Sequence, residues 1–166
     1  PGLVKLAMGF GWKLFSNLLG WLSNAGGFRF TGWFFSALAS VGLFWLAMKV
    51  FRRESIAWLA VGLFLLTPRT FFHGHLGAFD MPVVAMIVWC VAAYRASLTS
   101  VRWVILGGLI WGLALATKHN AAFLPAIFVG HFLLIRLHRW RYLRADGGLL
   151  RLPPLPSILL AMLVCA

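Results

Sequence analysis

Only three residues in this sequence are acidic, Glu54, Asp80 and Asp146, against fifteen lysines and arginines. Glu54 follows Arg52 and Arg53, and Asp146 follows Arg139, Arg141 and Arg144, so both read as solvated charges among arginines. Asp80 stands apart. A carboxylate there can bind a metal, or orient or deprotonate an acceptor hydroxyl. The same Asp80-Met81-Pro82 also reads as a helix start, with Asp as the cap and Pro in the first turn, and the two roles can coexist. His73 and His75, two apart just upstream, would join Asp80 as ligands of a divalent metal ion, or would only hydrogen-bond at an interface. Lys118 closes an apolar run and precedes His119 and Asn120. It suits a phosphate contact helped by Arg29 and Arg69, although a lysine there also complements a helix dipole and snorkels to the surface. His131, inside an apolar run, reads as a structural histidine with a satisfied partner.

The elements that must position these residues follow from composition. The chain of 166 residues is 62% hydrophobic and 11% charged, with mean hydropathy +0.91. A soluble domain carries about 25% charged residues, so lipid must be part of this protein's solvent. The apolar runs are long and lack β-alternation. The expected fold is therefore all-α, a polytopic transmembrane helix bundle, because lipid offers no partner to an open backbone. The net charge of +12 does not indicate nucleic acid. The basic residues sit between apolar runs, where they hold loops on one side and meet anionic lipid. Cys90 and Cys165 lie inside apolar runs and read as small hydrophobes.

Within residues 1–24, Lys5, Gly9, Lys13, Ser16, Asn17, Gly20, Ser23 and Asn24 fall in an arc of about 120° at helical periodicity. This predicts an interfacial amphipathic helix; a short helix packed on other spans would show the same pattern. Gly26-Gly27 reads as a hinge. Residues 25–137 divide into about five spans: Thr31 to Phe51, Ser55 to Thr67 ended by Pro68, Met81 to Ala96, Trp103 to Thr117, and Ala121 to Leu137. Residues 69–80 read as a polar-aromatic loop. Gly108-x-x-x-Gly112 suggests close helix contact in the fourth span. Residues 138–156 read as a basic cytoplasmic loop, with Trp140 and Tyr142 beside Tyr94 as interfacial anchors, and residues 157–166 as the start of a further span.

Short connections make neighbouring spans alternate in direction. Lys49, Arg52, Arg53, Arg95, Arg102, Arg136, Arg139, Arg141, Arg144 and Arg151 then share one side, and Lys5, Lys13, Arg29, Arg69 and Lys118 the other. The richer side is cytoplasmic. The outer side gathers nearly every residue capable of chemistry.

The pieces resemble the multi-spanning GT-C glycosyltransferases that use polyprenyl-phosphate-linked sugars, among them the protein O-mannosyltransferases and the aminoarabinose transferase of lipid A. Pro1-Gly2-Leu3-Val4-Lys5-Leu6 is similar to their His-Pro-Pro-Leu-x-Lys-Leu segment in the first outer loop, which an interfacial helix follows. Phe28-Arg29-Phe30 resembles the step into the next span. The stretch from Thr67-Pro68 to Phe79-Asp80-Met81-Pro82 resembles the second outer loop, with its acid just before a span. Gly112-Leu113-Ala114-Leu115-Ala116-Thr117-Lys118 resembles the Gly-Leu-Ala-x-x-Thr-Lys motif, and Pro125 follows at a familiar distance. The likeness runs over roughly residues 1–137, and the ordered set of four carries it.

The resemblance implies that Asp80 takes part in an outer-face active site and that Lys118 lies near the lipid phosphate, with Arg29 and Lys5 as further candidates. It implies a polyprenyl-phosphate-linked sugar as donor, membrane lipids as surroundings, and a bacterial inner membrane with a periplasmic active face. The family's catalytic acid lies upstream of the segment in which this sequence opens, and Gly2 replaces the family's second proline. The expectation is thus a fragment of a membrane glycosyltransferase, inactive alone. The alternative expectation is a non-catalytic scaffold subunit in a membrane protein complex. A transporter would need paired ionisable groups at mid-membrane, and His131 is the lone candidate.

Overall fold

The structure, a computed structural model, describes residues 2–142, with side chains described through residue 134. The elements, in order, are α1 (Gly2–Gly11) continuing into a π-helical segment (Trp12–Leu18), α2 (Asn24–Phe51), α3 (Glu54–Leu66), α4 (Pro68–Gly74), α5 (Asp80–Ser97), α6 (Arg102–Thr117), a 3-10 turn (His119–Phe123) and α7 (Leu124–Tyr142). The described residues contain no strand, and the protein is an all-α membrane helix bundle. Two helices, α2 and α5, are long and apolar enough to cross a membrane, and α3 with α4 makes a third candidate if the bent pair counts as one span. At 1.5 Å per residue α2 is about 42 Å long, more than the ~30 Å hydrocarbon core.

The core lies where α2, α5 and α6 meet, around Phe35, Ala39, Met81, Ala85, Cys90 and Ala114, with Ala121 and Leu124 closing its upper end. Small residues let the backbones approach. A Cβ at Gly42 would stand 2.9 Å from Val88 Cγ1 and 3.0 Å from Trp89 Nε1. The Trp89 indole donates to Leu38 O at 3.0 Å and ties α5 to α2. Cys90 is buried, as a small hydrophobe. The Tyr94 hydroxyl donates to Phe128 O at 3.2 Å and lies 2.9 Å from His131 Nδ1, so this histidine has the structural partner expected of it.

Several local expectations change. Gly26-Gly27 is not a hinge: α2 starts at Asn24, capped by the Ser23 hydroxyl, and runs through both glycines. Gly27 is instead where the N-terminal segment crosses α2, since a Cβ there would overlap Ser16 and stand 2.8 Å from Trp12 Cα. Residues 69–80 are not all loop. Pro68 breaks the α3 direction by 71°, but at the first position of a helix its missing N–H costs nothing, and α4 forms to Gly74. Among the described residues a Cβ on Gly112 would meet nothing within 4 Å, whereas one on Gly107 would stand 3.4 Å from Ala93 Cβ of α5. The last span starts later than expected, because residues 119–123 form a 3-10 turn, and α7 runs on to Tyr142 into the expected basic loop. The rest of that loop and the further span at 157–166 lie outside the described residues, as does Cys165.

The N-terminal helix packs on α2 and α6. Val4 is fully buried and Gly11 sits against the Gly27 carbonyl, while Lys5 and Lys13 on the opposite face are exposed. Lys5 and Lys13 of the expected polar arc point away from the bundle, with Leu6 and Phe10 exposed beside them, but Ser16 of that arc sits against Gly27, and Ser23 and Asn24 belong to the start of α2.

Candidate functional site at one end of the helix bundle

Lys118 ends α6 with extended backbone (φ −157°, ψ 138°), which turns the chain out of the helix and frees its side chain at the rim. Asp80 opens α5. The two are 38 residues apart, yet Lys118 Nζ donates to Asp80 Oδ1 at 3.2 Å. The second carboxylate oxygen, Oδ2, lies 3.2 Å from His73 Nδ1. That nitrogen is buried, and its approach is off the direction of a made hydrogen bond. Asp80 thus divides its oxygens between a lysine from α6 and a histidine from α4.

The capping role does not materialise. Asp80 is the first residue inside α5, Phe79 occupies the cap position, and no side chain caps the helix. The carboxylate still stands at the positive end of the helix dipole, but its close partners are cations and imidazole from other elements. Its side chain is 46% exposed and that of Lys118 43%, so both can be reached from outside the bundle.

The bend at Pro68 brings His73 here. Beyond it, α4 lies across the start of α2, where a Cβ on Gly32 would meet Leu76 O at 2.5 Å and Gly74 O at 2.7 Å. Only glycine allows that approach. Gly77 continues the linker past Phe28 and Met8, each within 4 Å of a Cβ built there. Lys118 is held from the other side: the Trp111 indole donates to Ala121 O at 2.9 Å and clamps the turn that follows the lysine.

Of the residues proposed from sequence, the structure brings together Asp80, Lys118 and His73. Lys5, Arg29, Arg69 and His119 are exposed and make no ion pair among the described residues. His75 turns away: its Nδ1 lies 2.7 Å from Phe71 O and its ring packs on Phe71. The expected His73–His75–Asp80 triad is thus not assembled, and among the described residues no three such groups stand close enough to hold a metal ion. One contact marks the other end of α5. Arg95 of α5 donates to Lys49 O of α2 at 3.3 Å at the end opposite Asp80.

Two supports of the site went unnoticed in the sequence. Gly32 looks like any glycine in a span. Trp111 looks like one of nine tryptophans, although its position seven residues before Lys118 places it about two turns below on the same side of α6.

With this geometry in hand, comparison with protein families is decisive. A family model described as dolichyl-phosphate-mannose-protein mannosyltransferase matches residues 6–166. The chain belongs to that family. It is therefore an integral membrane protein of a mannosyltransferase-type glycosyltransferase family, of the GT-C type that the four motifs resemble. The match spans both sequence motifs that meet in the Asp80–Lys118 pair. No curated protein and no solved structure matches the chain.

Proposed function

We propose that this chain is part of a glycosyltransferase that moves a sugar from a polyprenyl-phosphate donor to an acceptor on the outer face of a bacterial inner membrane. The observation that carries the reading is the 3.2 Å contact between Lys118 and Asp80, which joins the family-like Thr-Lys motif to the acid of the second outer loop at one accessible rim.

The chemistry follows from donor counting. An ammonium has three N–H donors. Asp80 takes one and fixes where the group stands, and the exposed side of Lys118 leaves the others for phosphate oxygens. Negative charge grows on the phosphate as the bond from sugar C1 to phosphate oxygen breaks, and a cation already in place stabilises it without reorganising. Arg29, Arg69 and Lys5, exposed at the same end, draw an anionic headgroup toward the rim. Direct displacement also needs a base for the acceptor's proton. The resemblance assigns that role to an acid of the family's first outer loop. Asp80 and His73 are the two ligands the rim would offer a divalent cation taking part.

A half-exposed ion pair contributes only about 0–1 kcal/mol to stability. Its loss should therefore be felt in chemistry and not in folding. In the full-length protein reconstituted in vesicles, Asp80→Asn and Lys118→Ala should each abolish sugar transfer while membrane insertion and melting temperature stay near wild type. Normal transfer by both variants would remove these residues from the site.

A further inference from the structure

We infer that Trp111 is a positioning residue for Lys118: its indole N–H sets where the lysine's ammonium stands, and so how tightly the rim holds a lipid-linked phosphate. This rests on the reading of Lys118 as the phosphate contact.

The chain leaves α6 at Lys118 in extended conformation and curls at once into the 3-10 turn. A 3-10 turn has poorer hydrogen-bond geometry than an α-helix and is a weak anchor by itself. Inside the turn, Ala121 N–H donates back to Lys118 O at a long 3.2 Å. What fixes the turn is its middle residue. Ala121 O accepts the backbone N–H of Leu124 and, at 2.9 Å, the indole N–H of Trp111. Ala121 is fully buried, and Trp111 packs against the same core cluster that holds Ala121, Leu124 and Ala114. The indole thus ties the residues after Lys118 to the helix before it, ten residues back. Lys118, whose own N–H is held by Ala114 O at 3.0 Å, is the pivot of this closed loop, and the loop's closure sets the direction from which its Nζ meets Asp80.

An indole N–H buried among apolar groups needs a partner. An alanine or leucine at 111 would fill part of the space without closing the loop. Trp111 also walls an apolar groove between α6 and α7, beside Pro125 and Phe128. A simple truncation would therefore mix lost packing with lost hydrogen bonding. The informative change is replacement of Trp111 by 3-benzothienylalanine, which keeps the ring shape and replaces N–H by sulfur. Trp111→Phe serves as the second, encodable variant.

The experiment measures binding of a polyprenyl monophosphate to the full-length protein in phosphatidylcholine vesicles, with Lys118 intact and in Lys118→Ala. The expected result is a five- to tenfold loss of affinity on removing the indole N–H with Lys118 present, the worth of one hydrogen bond, and no further loss in Lys118→Ala. Equal losses in both backgrounds would make Trp111 a packing residue only and overturn the inference. So would unchanged affinity with Lys118 present. If Lys118→Ala alone binds the probe as wild type does, the reading of Lys118 falls and takes the inference with it. Because that arm contains an unaltered Trp111, the two failures are told apart.

Discussion

At the scale of single residues, the proposed chemistry turns on how one carboxylate divides its two oxygens. Asp80 gives Oδ1 to Lys118 and faces His73 with Oδ2. Lys118 comes from the end of α6, 38 residues away, and His73 from α4, the helix just before α5. A lysine at this position works as a movable point charge, and Arg is not its equivalent, since the guanidinium is longer, planar and forked. Lys118→Arg should therefore keep the rim's charge but misplace it, with transfer falling at least tenfold while insertion is unchanged, as read by initial rates in vesicles. A rate equal to wild type would mean that only net charge matters there. Arg52 offers a separate residue-scale test. It closes α2 in the left-handed region (φ 54°), where a side chain is strained and glycine is not. Arg52→Gly should raise stability by about 1 kcal/mol, measured by thermal unfolding in detergent.

Among the elements, the short helix α4 decides the site. Pro68 ends one helix and begins the next, and the 71° bend delivers His73 to the start of α5. That arrangement holds because Gly32 lets the carbonyls of Gly74, at the end of α4, and of Leu76, just past it, lie directly on α2. Gly32→Ala should cost about 1–3 kcal/mol by overpacking backbone against backbone, and it should lower transfer as α4, which carries His73, shifts. Gly112→Ala makes the control, since a Cβ there meets nothing within 4 Å. The alanine should be neutral or slightly stabilising through helix propensity. Comparing the two melting temperatures checks the assignment. If both substitutions behave alike, the close contact of α4 with α2 is not what holds the site.

For the whole molecule, the decisive property is which helix ends share a side. The ends of α2 and α5 that meet through Arg95 and Lys49 lie opposite the rim that holds Asp80 and Lys118. Cysteines placed at His119 and Arg29 should react with a membrane-impermeant maleimide added outside intact cells. Cysteines at Arg52 and Arg102 should react only after permeabilisation. Labelling of all four from one side would break the two-sided arrangement on which the proposed reaction depends.

Much was fixed by sequence alone. Composition decided that helices would stand in lipid, because so little charge with so much apolar surface leaves no other solvent. The spacing of short connections decided that Asp80 and Lys118 belong to the same side, because each crossing reverses direction. Four ordered motifs carried the family. Tertiary structure decided what sequence could not. Whether Asp80 caps its own helix or serves a partner depends on which cation stands within about 3 Å, a distance no local pattern encodes. His75 drops out of the expected metal triad because its ring finds the Phe71 carbonyl one turn back. Gly27 and Gly32 are contact points and Gly112 is not, because only the packing of a neighbour gives a missing Cβ its meaning. The role of Trp111 appears only when the turn after Lys118 folds back onto the indole.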